Sequence, residues 1–349
     1  MIRKYNFIIL IALVFLSANL KAQEQKKQLF NKSYPVANKA LSIDNSFGNI
    51  TISLWDKKEY AVEVQLTTDG FSEKETAKLL SSVAINTSEN GDEISISTDW
   101  DDLKMNTKGK KSFELNYQIK TPVNGRLNLE NSFGNISVPD LKGALVIDLE
   151  YGQLSAGRLA SAEIDLSFGG GSITSLQNGE LDIMYADKLN IGRLGKVELE
   201  SGFSNVSIES ADHIDLEGKY GDIEIGTINT IKGSSSFSGL KIELLKKSFD
   251  MEAKYVSGKL AINHVDPGFE SIAIESKFSQ IKIVFDPQCN FTFTTEHKFG
   301  KLNHDNQIKK NFSNKEDYSA DYKGYMGKEN SKSKVFVATS YGDADLEIK

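Results

Sequence analysis

The chain has one cysteine, Cys289, five prolines and four histidines in 349 residues. A single cysteine excludes a disulfide framework and a cysteine-based zinc site. So few prolines exclude a proline-rich stalk. None of the histidines falls in an HExxH frame, and no Gly-x-Ser-x-Gly elbow occurs. Gly169-Gly170-Gly171-Ser172 is glycine-rich but lacks the lysine and the helix of a phosphate loop. An excess of positive charge is missing too: 41 basic residues face 48 acidic ones, for a net charge of −7. A protein that tracks a nucleic-acid backbone should be basic, so nucleic acid is excluded as a partner.

Long apolar runs are also absent, with one exception at the start. Arg3 and Lys4 precede ten apolar residues, Phe7 to Leu16, and a polar exit ends in Leu20-Lys21-Ala22. This is the layout of a secretory signal peptide over residues 1–22. Ten apolar residues are too few to cross a bilayer, so no transmembrane segment is expected in the mature chain. The expected location is beyond the inner membrane: periplasm, outer-membrane surface or medium.

What the chain does contain is a repeat. Leu127-Asn-Leu-Glu-Asn-Ser-Phe-Gly-Asn-Ile-Ser-Val138 nearly copies Leu41-Ser-Ile-Asp-Asn-Ser-Phe-Gly-Asn-Ile-Thr-Ile52. The aromatic residue then returns as Phe133, Tyr151, Phe168, Tyr185, Phe203, Tyr220, Phe237 and Tyr255, at spacings of 17 or 18. Phe278, Phe299 and Tyr341 follow at wider gaps. Each copy reads apolar-x-apolar-acid, two residues, aromatic, small, polar, apolar-x-apolar. Alternation of period two on both sides makes two short strands with one buried face. The small residue after the aromatic, and the Asn or Asp after that, suit the left-handed backbone of a tight corner.

Strands this short bury a core only by stacking copies. The expected fold is therefore all-β: a repetitive β-solenoid, like a single-stranded parallel β-helix, with a small α+β capping region. Leu129, Ile147, Ile164, Leu181, Leu199 and Leu216 would stack inside. Whether one coil holds one or two copies stays open. A β-sandwich or stacked hairpins is the alternative, because the same spacing also suits hairpins.

The remaining segments follow from local signals. Residues 23–126 read as a β-rich N-terminal cap with one short helix at about 72–83, opened by a capping-box pattern at Ser72. Residues 127–302 are the solenoid of 17–18-residue repeats. Residues 303–334 are polar and Lys/Asn-rich, expected as a mobile insertion. Residues 335–349 return to the motif as closing strands.

An acid sits three residues before most corner aromatics: Asp148, Asp165, Asp182, Glu200, Glu217, Glu252 and Glu275 in the solenoid. Its alternation points it outward. In a stack these carboxylates would recur about every 4.8 Å, and like charges on neighbouring strands repel. Either the column is a solvated face that blocks sheet-on-sheet aggregation, or a cation offsets it. Calcium is the ion that carboxylate oxygens would take. No other cofactor is expected.

The repeated Ser-Phe-Gly-Asn-Ile corners, the leader ending in Leu-Lys-Ala-Gln and the terminal Ser-Tyr-Gly-Asp resemble the adhesin families of Bacteroidota, exported proteins of β-strand repeats. The resemblance spans most of residues 38–349. It implies a cell-envelope or surface protein of a Gram-negative bacterium and supplies no catalytic residues. The expected function is a non-catalytic adhesin or binding module, with a protein or glycan surface as partner. A periplasmic structural or signalling-associated protein is the alternative. A carbohydrate-active enzyme fits less well, because coils this regular leave no room for the long loops that build a cleft.

Overall fold

The structure, a computed structural model, describes residues 24–101, 111–256 and 258–349. The segment read as an export signal lies outside them. The N-terminal region holds β1 (Gln25–Pro35), β2 (Ala40–Asn45), β3 (Ile50–Leu54), β4 (Glu59–Asp69), α1 (Glu73–Ser81), β5 (Val83–Asn90), β6 (Glu93–Trp100) and β7 (Ser112–Thr121). The repeats run through β8 (Arg126–Asn131), β9 (Ile136–Val138), β10 (Leu141–Glu150), β11 (Gln153–Ser167), β12 (Gly170–Met184), β13 (Lys188–Gly202), β14 (Asn205–Lys219), β15 (Asp222–Ser236) and β16 (Gly239–Lys254). Then follow β17 (Lys259–Val265), β18 (Ser271–Lys277), β19 (Gln280–Phe285), β20 (Phe291–Lys298), β21 (Leu302–His304), β22 (Lys309–Lys315), β23 (Ser319–Met326), β24 (Lys334–Ser340) and β25 (Ala344–Ile348).

Each copy is one coil. β11 pairs in parallel with β12, Ile164 beside Leu181, and β12 pairs with β13, Leu181 beside Leu199. From β8 to β16 the offset is one copy of 17 or 18 residues at each step, so a coil there holds one copy and not two. Parallel pairing of successive copies also removes the sandwich and hairpin alternatives; among the described residues antiparallel pairs occur only at the two ends.

Alternation decides what lies inside. Along β11, Leu154, Ala156, Leu159, Ala162, Ile164 and Leu166 are buried. The ladder skips Gly157 and Ala160, which lets a fifteen-residue strand bend around the coil. Stacking turns each inward position into a column, such as Ile147, Ile164, Leu181, Leu199 and Leu216, all at most 4% exposed. Burying one such side chain contributes roughly 1.5–3 kcal/mol. One coil alone gains nothing from this alternation, because its inward face needs a neighbour.

Both ends are capped by strands that leave the repeat. At the N-terminal end β6 and β7 lie beside β2 and β3. β5 pairs antiparallel with β6, while β4 and then β1 extend from β7. α1 opens on a capping box in which the Ser72 hydroxyl accepts the Glu75 N–H and the Glu75 carboxylate accepts the Ser72 N–H.

The C-terminal end corrects one expectation. Residues 303–334 contain an antiparallel hairpin, β22 and β23, and β23 pairs with β20. Its polar composition has a physical reason: every residue of β22 is exposed, as an edge strand allows. The signal overlooked is the alternation of Tyr322, Gly324 and Met326 in β23, whose inward face is buried. The stacking order also departs from chain order, because β24 lies between β18 and β20, and β25 between β19 and β21.

Candidate functional site: an exposed aromatic edge

The corners of successive coils stand above one another, so the side chains they carry form a line. At ten corners the aromatic residue itself has a left-handed backbone, with φ between 50° and 58° from Tyr151 to Tyr341. This differs from the sequence reading, which assigned that conformation to the small and polar residues behind it. In the first two copies that reading holds for Gly48 and Gly134, at φ 134° and 140°. Elsewhere the small residue is needed for a close approach: a Cβ on Gly169 would stand 2.0 Å from the Gly152 carbonyl oxygen. Where serine replaces glycine it is buried and bonded, and Ser204 Oγ accepts the Ala186 N–H and donates to the Gly202 carbonyl.

The Asn or Asp that follows joins one coil to the next. Asn135 Oδ1 accepts the Gln153 N–H at 2.9 Å, and Asp222 Oδ1 accepts the Gly239 N–H at 3.2 Å. The side chain thus supplies an acceptor to a backbone donor one coil away.

The rings Phe133, Tyr151, Phe168, Tyr185, Phe203, Tyr220, Phe237, Tyr255 and Phe278 stack face to face in that order. Phe47 precedes them, and Tyr341 and then Phe299 follow. Centroids are 4.7–5.4 Å apart and planes differ by 1–10°. From Phe133 onward each ring is 45–53% exposed. The stacked faces are hidden and the edges meet water, with a tyrosine hydroxyl on alternate rungs. Ring pairs of this kind add about 0.5–1.5 kcal/mol each beyond area burial. Trp100 and Phe113 pack against Phe47 at one end, and Tyr318 against Phe299 at the other. These end rings lie outside the repeat spacing, so sequence reading passed over them.

The acids fall where alternation put them. Asp148, Asp165, Asp182, Glu200 and Glu217 are in-register neighbours on β10 to β14. Glu252 and Glu275 are neighbours on β16 and β18. Ser234 separates the two runs. Lysines balance the later part: Lys219 pairs with Glu217, and Lys254 with Glu252 at 2.6 Å. Asp148, Asp165, Asp182 and Glu200 have no ion pair among the described residues. Burial and then the neighbouring carboxylates, Asp182 first, raise the Asp165 pKa above the usual aspartate range. Glu130 is raised by burial and then by Asp44, Asp148 and Glu150. A second row, Glu163, Glu180, Glu198 and Asp215, runs in register two residues back on β11 to β14. Among the described residues no three His, Cys, Asp or Glu side chains are grouped to hold a metal ion.

Two other reactive side chains, Cys289 and His297, are turned inward. Burial pushes the Cys289 thiol up to about 12, and its Sγ donates to the Val265 carbonyl. A thiol held protonated is a poor nucleophile. His297 is buried, shares a hydrogen bond with Thr339 Oγ1 at 2.8 Å, and has its pKa lowered by that burial. A shallow hollow of about 520 Å³ near the C-terminal end is lined by Glu252, Lys254, Glu275, Lys277, Glu296 and Lys298.

No family model matches the chain. No curated protein matches it either. Similar solved structures include a "putative adhesin" from Parabacteroides merdae, 10% identical, covering 94% of this chain and 97% of its own, with a TM-score of 0.32. A second from Parabacteroides distasonis is 10% identical, covers 94% and 98%, and has a TM-score of 0.30. A "putative cell adhesion protein" from Clostridium sporogenes is 12% identical, covers 94% and 99%, and has a TM-score of 0.21.

Proposed function

We propose that this chain is an exported, non-catalytic binding module of the cell envelope, an adhesin whose binding face is the aromatic edge. One observation carries the reading: the exposed, in-register row of stacked rings. Soluble monomers rarely leave a contiguous apolar strip of this extent in water, and such strips mark interaction surfaces. A solenoid presents it on a long, regular support suited to an extended partner. Aromatic residues are also the commonest anchors of binding energy. The catalytic alternative finds little support, because the acids recur coil after coil instead of forming one special pair in a cleft.

The test has two arms. Protease shaving of intact cells, with a periplasmic control, should cleave residues 23–349 while the control survives. Beads coated with the protein should adhere to cells, glycans or matrix, and beads coated with a Phe168→Asn/Tyr185→Asn variant should not. Protection until the outer membrane is opened would move the protein to the periplasm. Equal adhesion by both bead types would remove the aromatic edge from the function.

A further inference from the structure

We propose that the aromatic edge docks on the aromatic edge of a second copy of this chain, antiparallel and in full overlap. This rests on the reading of that edge as the binding face and names its partner.

Area is the first argument. An aromatic side chain has roughly 150–250 Å² to bury. Eleven rings about half exposed therefore offer on the order of 1,000 Å² per copy. A stable protein interface needs about 800 Å² per partner. Pitch is the second. The edge is a comb of rings 4.7–5.4 Å apart, and a second coil stack repeats that spacing without drift along its whole length.

The order of residues then fixes the orientation. The ladder has twelve rungs from Phe47 to Phe299, and Phe alternates with Tyr from Phe133 onward. Full antiparallel overlap sets Tyr151 opposite Phe278, Tyr185 opposite Phe237 and Phe203 opposite Tyr220. Every protruding hydroxyl meets a shorter ring, and only the terminal Phe47 and Phe299 pair like with like. Parallel overlap would set each tyrosine hydroxyl against another.

Charge agrees. The residue immediately before each ring borders the strip on one side. Among these, Glu150 stands on the third rung and Lys277 on the tenth, which the antiparallel two-fold brings opposite each other. Both are exposed and neither has an ion pair among the described residues. On the other border, Asp187 meets Gly239, Asp222 meets Asn205 and Asp343 meets Asn135, so no two carboxylates oppose. The interface is isologous, as a two-fold requires.

Sedimentation equilibrium of residues 23–349 reads the outcome. A dimer is expected at about 10 μM. Phe203→Asn/Tyr220→Asn should raise the dissociation constant at least about tenfold, because asparagine keeps the left-handed backbone while the central rings are lost. An unchanged circular dichroism spectrum, with a single cooperative transition at a melting temperature lowered by the lost stacking, would show the fold intact. Glu150→Lys and Lys277→Glu should each weaken the dimer several-fold, and the double reversal should restore it. A chain that stays monomeric to about 100 μM, a ring variant that still dimerises, or a double reversal that fails to recover would each overturn the proposal. A monomer whose beads still adhere through the rings would overturn the second copy and leave the binding face standing. A ring-dependent dimer without adhesion would do the reverse.

Discussion

The rings of Phe278 and Tyr341 stack with centroids 4.7 Å apart and planes 1° apart, although β19 to β24 lie between them in the chain. Tyr341 occupies that rung because β24 slots between β18 and β20, and β25 between β19 and β21. The last strands of the chain therefore hold the final coil to the stack. Deleting residues 334–349 removes Val335, Val337, Ala344 and Leu346 from the core and unpairs strands on both sides. A loss of about 5 kcal/mol or more is expected from burial alone. Hydrogen exchange should show residues 291–326 unprotected while β11 to β15 stay protected, since coils couple only to their neighbours. Protection of β20 and β23 in the truncated chain would contradict this.

A second prediction concerns a polar break in the core. Asn45 and Asn131 occupy the inward column that Leu149, Leu166 and Ile183 continue, and both are buried. Asn45 Nδ2 donates to Asn131 Oδ1 at 3.0 Å, and Asn131 Nδ2 donates to the Gly48 carbonyl at 3.0 Å. Asn131→Ala leaves buried polar groups unpaired and should cost about 1–3 kcal/mol. Asn45→Leu/Asn131→Leu removes the amide–amide pair and extends the leucine column, but it leaves the Gly48 carbonyl without its side-chain donor as the alanine variant does, so it should recover about 1 kcal/mol of the alanine loss and not all of it. Urea unfolding of both variants checks this, and a double variant as unstable as the alanine single would sink it.

Backbone strain at the corners is open to a simple comparison. Tyr185 has φ 54° and stacks on Phe168 and Phe203. Tyr185→Ala and Tyr185→Gly lose the same stacking, but alanine keeps the left-handed penalty of about 1 kcal/mol that glycine escapes. The glycine variant should thus be the more stable by about that amount, against the usual cost of glycine in a strand. Thermal unfolding decides it, and equal stabilities would mean that the corner relaxes on substitution.

The coil period and the inward columns were legible because alternation and a 17–18-residue spacing are local properties of the sequence. The aromatic row was legible for the same reason, and the acids likewise. Two things were not. One is the order of the last coils: nothing in Val335 to Ile348 says which neighbours these strands choose, since every coil offers the same inward face. The other is the role split within each corner. Tyr151 looks like a packing residue and Asn135 like a turn former, yet the ring takes the left-handed backbone and the amide binds the next coil. Both roles depend on what the adjacent coil places 4–5 Å away, which one copy does not contain.

The unbalanced half of the acid column carries the last prediction. Burial and the carboxylates of Asp182, Asp148, Glu163 and Glu180 raise the Asp165 pKa in the folded chain. A raised carboxyl pKa means that the folded state holds its proton where the unfolded state has released it. Ionised Asp165 therefore opposes folding at neutral pH, and this cost disappears as pH falls through the folded value toward the usual aspartate range. Asp165→Asn should raise the melting temperature at pH 7 and lose that advantage near pH 4. Because the side chain is largely solvated, the gain should stay below about 1 kcal/mol. Added salt should narrow it further by screening the same repulsion. The opposite pH trend, with the asparagine variant gaining as pH falls, would mean that ionised Asp165 is held by a favourable partner and that its neighbours do not repel it.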